Sequence, residues 1–374
     1  MADESGTPKQ PDYEHSVPFL WPLAPMIEME EAGLAAFQRN LHFLEEAEYL
    51  AAPPPPEWAT ANRVRLDLPT MRLRDFSDGT AEGLPVLVDA PYAGHSSTIA
   101  DYAKGQSLVE ALQAAGLGRV LVTDWKPASE EMKDFDIDRY LAEINVVVDD
   151  LGGRVDLVGL CQGGWMSSLF AARFPGKVAS LVLAGSPIDT DAGDGPIKKM
   201  AHSLPFSFYQ EMVESGGGRM LGQYMLAGWK SMHPVKQYME KYIDLLAKID
   251  DESYVERTEQ FERWYENAID LPGKYYLQAI ADIFQANRIA KGEFVALGQR
   301  IDLKAIRCPL YLLAGEGDDI TTKEQVFAAA DLMGTPKERI ERRSVPGGHI
   351  GLFMGRRTLE TAWPEIARWI GAQS

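Results

Sequence analysis

The sequence predicts an α/β protein built on a doubly wound, mostly parallel sheet with an inserted helical cap, and three observations predict it. Short apolar runs alternate with amphipathic helical stretches; the alternation stops for about a hundred residues; and it then resumes to the C-terminus. Before this pattern begins, residues 1 to about 25 are polar and then Pro-punctuated, which reads as a tail. From Glu28 to Leu50, Leu34, Phe37, Leu41 and Leu44 recur at helical spacing and predict a packing helix, which the Pro53–Pro56 run ends. This segment is residues 1–56.

The first part of the sheet is assigned to residues 57–185. RVRLDL, TMRLRDF, PVLVDAP, RVLVTDW, RVDLVGL and KVASLVLAG read as strands, because each is a short apolar or alternating run bounded by turn residues. Between the fourth and fifth of them, Asp136 to Leu151 carries Ile137, Leu141, Ile144 and Val148 on one helical face. Residues 186–297 are helical and rich in Met, Trp, Tyr and Phe, and they read as the cap. The sheet is completed within residues 298–374 by CPLYLLAG, a helix from about Thr322 to Met333, RIERRSV, and a final helix striped by Leu359, Trp363, Ile366 and Ile370.

Composition narrows the function. The chain has 374 residues, 45% of them hydrophobic, enough for one large core. Its 37 Lys and Arg against 55 Asp and Glu give a net charge of -18, which repels phosphate backbones and argues against a nucleic-acid or anionic-membrane partner. Two cysteines make no disulfide framework, and no apolar run approaches the roughly 20 residues of a membrane span, so a cytoplasmic location is expected.

The sharpest local signal is GLCQGG, residues 159–164, which directly follows the strand RVDLV and directly precedes the apolar helix WMSSLFAARF. A nucleophile elbow requires that handover, with small residues around the nucleophile because its backbone approaches its neighbours closely. Gly159, Cys161 and Gly163 fill those roles, and the fold expected is therefore the α/β-hydrolase fold. A thiolate at this position is a strong nucleophile, which an adjacent His and the helix N-terminus can activate. The fold also demands an acid after a later strand and a histidine after the last one. LYLLAG ends in EGDDI, offering Asp318 with Asp319 in reserve, and RRSV ends in PGGHIG, offering His349. The acid orients the imidazole, which moves the proton.

For the oxyanion, the backbone N–H of Gln162 is one expected donor and the loop APYAGHSST supplies the other. Pro91 has no N–H, which leaves Tyr92 or Ala93. His95 in this loop is either a substrate contact or a hydrogen-bonded structural side chain. His15, His42, His202 and His233 show no metal-ligand spacing, and neither a metal nor a cofactor is expected. Gly355 to Arg357 reads as a solvated helix start rather than a carboxylate site, Cys308 as a buried spectator, and the aromatics Phe206, Phe208, Tyr209, Trp229, Trp264 and Tyr265 individually as core. Together those aromatics suggest an apolar substrate.

From about Val86 to the C-terminus the chain resembles the polyhydroxyalkanoate enzymes, namely the intracellular poly(3-hydroxyalkanoate) depolymerases and the related synthases. The resemblance rests on APYAGHSSTIADY, VTDW, GLCQGG, GSPIDT, GWKSMHP, LPGKYYLQ, IDLKAIRCP, GEGDDI and PGGHIGLFMGRR. It implies an α/β-hydrolase core, a Cys nucleophile, and a polyester or 3-hydroxyacyl ester as substrate, with a polymer granule surface as a partner. GLCQGG and PGGHIG look like the synthases, which typically read Asp-His-Ile where this chain has Asp318-Asp319-Ile320. AGHSST, GSPIDT, GEGDDI and GRR look more like the depolymerases. By that count a hydrolase is the first expectation; a synthase drawing on 3-hydroxyacyl-CoA, which would imply a homodimer, is the second, and an inactive granule-binding homologue the third.

Overall fold

In the computed structural model, residues 24–77, 79, 82–232 and 239–373 are described; the tail, His15 and His233 lie outside them. Eight strands form one sheet: β1 (Arg63–Asp67), β2 (Met71–Asp75), β3 (Val86–Asp89), β4 (Val120–Trp125), β5 (Val155–Leu160), β6 (Val178–Ala184), β7 (Leu310–Gly315) and β8 (Ile340–Val345). Their spatial order is β1-β2-β4-β3-β5-β6-β7-β8, and only β2 runs against the rest. Strands β3 to β7 are buried along their whole length, as continuous Val and Leu runs covered on both faces must be. The edge strand β8 instead presents Glu341, Arg342 and Arg343, charges that discourage pairing with another chain.

The helices follow in chain order. α1 (Ala24–Ala51) precedes the sheet; α2 (Leu108–Ala114), α3 (Ile137–Asp150) and α4 (Gln162–Arg173) are the crossovers after β3, β4 and β5. Two of these crossovers are capped by side chains: Ser107 caps α2 through Glu110 N, and Asp136 caps α3 through Arg139 N. The face of α3 predicted to pack, Ile137, Leu141, Ile144 and Val148, is fully buried.

Between β6 and β7 the chain forms α5 (Pro196–Ser203), α6 (Phe206–Ser215), α7 (Gly222–Met232), α8 (Lys241–Ala247), α9 (Glu252–Tyr265) and α10 (Gly273–Gln278), which continues as a π-helical turn over Ala279–Gln285. The insertion is not free of strands, as its sequence suggested. Arg219–Met220 pairs with Leu271–Pro272, and Val295–Ala296 with Gln299–Arg300, each only two residues long and too short to leave a period-two signal. After β7 the expected single helix is two, α11 (Lys323–Phe327) and α12 (Ala329–Leu332). The C-terminal segment is α13 (Gly351–Met354), α14 (Arg356–Thr361) and α15 (Trp363–Gly371), and its stripe of Leu359, Trp363, Ile366 and Ile370 is buried.

One expectation fails. Leu34, Phe37, Leu41 and Leu44 of α1 are 44% to 59% exposed. The helix lies on α8 and α9 through a different face, where Phe43, Tyr49 and Leu50 meet Leu245, Ile249 and Val255, and Arg39 Nη2 donates to the Leu246 carbonyl at 2.8 Å. Periodicity detects an apolar stripe, but a helix with apolar residues on two faces does not declare which one is covered.

No helix among the described residues is long and apolar enough to cross a membrane. Trp363 is fully buried and its Nε1–H donates to the Leu352 carbonyl at 2.8 Å. Trp363→Ala is therefore expected to cost about 3–5 kcal/mol, read as a lower urea midpoint with an unchanged slope.

Candidate active site

Chain reversal next to β3 makes the crevice. From β3 the chain crosses to β4 on one side and then returns to β5 on the other, so the carboxyl ends of β3 and β5 open side by side. Cys161 follows β5 directly and is the N-cap of α4, with φ 50° and ψ −115°. A positive φ is strained for a residue with a Cβ, and here it lifts the thiol out of the sheet at the mouth of the crevice.

The sequence pays for that turn with glycine. A Cβ on Gly163 would stand 2.0 Å from the Asp89 carbonyl oxygen, and one on Gly159 would stand 2.4 Å from the Gly164 Cα. No side chain fits in either place. Beneath the turn, the Asp89 carboxyl accepts hydrogen bonds from Ser167 Oγ on α4 at 3.0 Å and from Thr123 Oγ1 on β4 at 3.4 Å. Burial holds this carboxyl well above the usual carboxylate range, and its two hydrogen bonds tie β3, β4 and α4 together.

His349 arrives from the loop after β8 and Asp318 from the loop after β7. His349 Nδ1 and Asp318 Oδ2 are 2.8 Å apart, while Asp318 Oδ1 accepts from the N–H groups of Ile320 and Thr321 at 2.9 and 2.8 Å. The carboxylate is thereby held on both oxygens. The neighbouring Asp319 instead faces the cavity. His349 packs edge-on to Phe353 at 5.3 Å, and Gly185 leaves room beside its Cε1, where a Cβ would come to 3.1 Å. Its Nε2 is buried with no nitrogen or oxygen partner. Burial opposes a charged ring here, yet Cys161 on one side and Asp318 on the other outweigh it and raise the His349 pKa to about 10.

A cavity of about 400 Å³ opens over these groups, lined by Cys161, Gln162, Asp319 and His349 from the sheet side. Its roof comes from the insertion, chiefly Trp229, Phe261, Trp264, Tyr265 and Phe284. Three of the aromatics expected to be core, Trp229, Trp264 and Tyr265, therefore form ligand wall as well. Tyr209 is buried away from this cavity, Phe206 borders a separate surface cleft, and Phe208 is exposed.

Of the two residues considered for the second oxyanion donor, Ala93 lines the cavity. The Tyr92 ring turns into a cluster with Trp125, Tyr140 and Tyr275, and its hydroxyl donates to the Lys126 carbonyl. His95 stacks on Trp264 and Tyr265 with ring centroids at 4.6 and 5.3 Å, and its Nε2 bonds the Tyr265 carbonyl at 3.0 Å. Burial pushes its pKa down to about 4, so it is a neutral ring that holds the roof while forming part of the wall.

Away from the cavity, Arg356 and Arg357 are exposed at the start of α14, and His42 pairs with Glu46 at 3.5 Å. His202 lies exposed on α5, and Cys308 has its thiol pushed up to about 11 by burial. Sequence reasoning missed Pro187, Thr190 and Lys198, all of which line the cavity. The first two lie in the GSPIDT string, which follows β6 just as Cys161 follows β5. Position after a central strand was the signal available.

Sheet order, elbow and strand-end loops together define the α/β-hydrolase fold. Among solved structures, the monoacylglycerol lipase of Paleococcus ferrophilus matches with a TM-score of 0.52 over 81% of this chain and 99% of its own, at 16% identity. A putative lipase from Acinetobacter baumannii matches with a TM-score of 0.50 over 89% and 97%, at 13% identity. Within that fold, the chain belongs to the family described as "Protein of unknown function (DUF3141)", which matches residues 73–343. It is also similar to three proteins named poly(3-hydroxyalkanoate) polymerase subunit PhaC. Those of Haloferax mediterranei and Haloarcula marismortui are each 29% identical, over 77% and 80% of this chain. That of Allochromatium vinosum is 26% identical over 79%. The chain spans 58% and 63% of the two haloarchaeal proteins and 83% of the third.

The raised His349 pKa has a definite sign. The folded state holds this proton more tightly than the unfolded chain, so the contribution to stability is full below about pH 6.5 and is lost as pH rises through about 10. Followed by NMR, the His349 Cε1 proton should show no titration between about pH 5 and 8. Asp318→Asn should bring its midpoint down.

Proposed function

We propose that this chain is a cysteine-dependent acyl-transfer enzyme acting on 3-hydroxyacyl esters of polyhydroxyalkanoate metabolism. The observation that carries the chemistry is the strained Cys161 elbow facing a His349 that Asp318 holds by Nδ1. The substrate class rests on the relatives named as poly(3-hydroxyalkanoate) polymerase subunits and on the apolar, aromatic cavity.

In this reading the Cys161 thiolate attacks the ester or thioester carbonyl. The oxyanion accepts from the N–H of Gln162, which as the first residue of α4 has no acceptor within its helix, and from the N–H of Ala93. As the tetrahedral centre collapses, its bond to the leaving oxygen or sulfur breaks, and protonated His349 delivers its Nε2 proton to that atom. A thioester on Cys161 remains. An acceptor hydroxyl then gives its proton to His349 and attacks the thioester, and the thiolate is released. Throughout, Asp318 keeps the ring in one tautomer and orientation.

The acceptor separates two readings. A hydroxyl of another 3-hydroxyacyl unit gives polymerisation, which the names of the relatives favour. Water gives hydrolysis, which AGHSST, GSPIDT and GRR favour, and so does Asp319 at the cavity wall where the synthases typically have histidine.

The test incubates the protein beside Cys161→Ala with 3-hydroxybutyryl-CoA in one tube and amorphous poly(3-hydroxybutyrate) in another. CoA release with insoluble polymer supports polymerisation, and soluble acids or oligomers from the polymer support hydrolysis. Either activity should fall at least about a thousandfold in the variant. Activity that survives in Cys161→Ala removes the cysteine mechanism.

A further inference from the structure

Behind the active-site wall lies a second cavity of about 100 Å³. Gln162, Ile197, Trp229 and Phe284 line both spaces, so a single layer of side chains divides them. The inner cavity is apolar on its far side, where Met220, Met225, Leu271, Ala279 and Ile280 contribute. An apolar cavity of ~150 Å³ stays dry and takes up a benzene-sized guest, so this one has room for an alkyl chain of about three to five carbons.

Two polar atoms at the dividing layer are buried without a hydrogen-bond partner: Oε1 of Gln162, an acceptor, and Nε1–H of Trp229, a donor. Leaving both unpaired is costly in a folded protein, and the cost is removed when a ligand supplies a group that donates and accepts. A hydroxyl does both. Gln162 also carries the backbone N–H placed for the oxyanion, so the layer begins one residue from the acyl carbon.

We propose that the inner cavity receives the alkyl branch at C3 of a 3-hydroxyacyl group held at Cys161, with the C3 oxygen seated between Gln162 Oε1 and Trp229 Nε1. This rests on the acyl-enzyme reading above for the position of the carbonyl. A 3-hydroxyacyl group has the required shape: its carbonyl lies two bonds from C3, and C3 bears both the oxygen and the branch. A plain fatty acyl group has no C3 oxygen to pair with the two buried atoms. Trp229 and Gln162 thus become specificity-determining residues that recognise the 3-hydroxyl, and the inner cavity sets the branch length.

The experiment is binding rather than turnover. Methyl esters of 3-hydroxybutanoate, 3-hydroxyhexanoate and 3-hydroxyoctanoate are titrated calorimetrically into Cys161→Ala, beside the unsubstituted alkanoate esters of the same lengths. Affinity should rise about fourfold per added methylene. Ala279→Leu and Ala201→Leu, each built on Cys161→Ala at a residue that lines the inner cavity, should flatten that rise. Trp229→Phe should weaken the 3-hydroxy esters at least about fivefold relative to the unsubstituted ones. Equal affinity at all lengths, a rise that survives both filled variants, or no measurable binding overturns the proposal. Chain-length-dependent binding in a protein that transfers no acyl group would leave the cavity assignment standing and remove the catalytic reading instead.

Discussion

The backbone of one residue constrains much of this molecule. Cys161 can hold φ 50° only if the chain around it is overdetermined, and the surrounding residues meet that demand. Gly159 and Gly163 let β5 and α4 close on the turn, Cys161 N donates to the Ala184 carbonyl on β6, and the buried Asp89 fastens α4 to β3 and β4. Because the central strands are parallel and buried on both faces, the elbow cannot relax without disturbing the core. The strain is thus stored at a residue that lines the cavity.

Electrostatics follow from the same placement. His349, Asp318 and Cys161 follow the carboxyl ends of three parallel strands, β8, β7 and β5, and are largely removed from water. In that setting a proton on the imidazole is flanked by two groups that favour it, while at His95, a few residues beyond β3, desolvation outweighs the Tyr265 carbonyl and Glu266 and leaves the ring neutral. Two histidines beside one cavity therefore have opposite character, His349 holding a proton to about pH 10 and His95 a neutral ring stacked in the wall.

Sequence reading succeeded where chemistry is tied to strand order. GLCQGG across the junction of β5 and α4, EGDD after β7 and PGGH after β8 are local strings whose meaning is set by topology, and the strands themselves are short apolar runs that declare their position. It failed where the answer lies in non-local packing. Nothing in EGDDI tells which carboxylate turns to the histidine; that is decided by the N–H groups of Ile320 and Thr321 capturing Asp318 Oδ1. The wrong face of α1 was chosen because the partners of Leu50, on α8 and α9, are some two hundred residues away in sequence. The cavity wall was legible only as an aromatic-rich insertion and not residue by residue, since Pro187, Trp229 and Phe284 converge from separate parts of the chain.

The insertion leaves and rejoins the sheet between β6 and β7, which are adjacent parallel strands. Their register does not depend on what the intervening chain does, so more than a hundred residues can vary in length and shape without moving Cys161 relative to His349. Cys161, Asp318 and His349 are fastened to the ends of the strands, and most of the roof belongs to the insertion. A lineage can then exchange the roof, and with it the size of the guest and the access of water, while inheriting the floor intact.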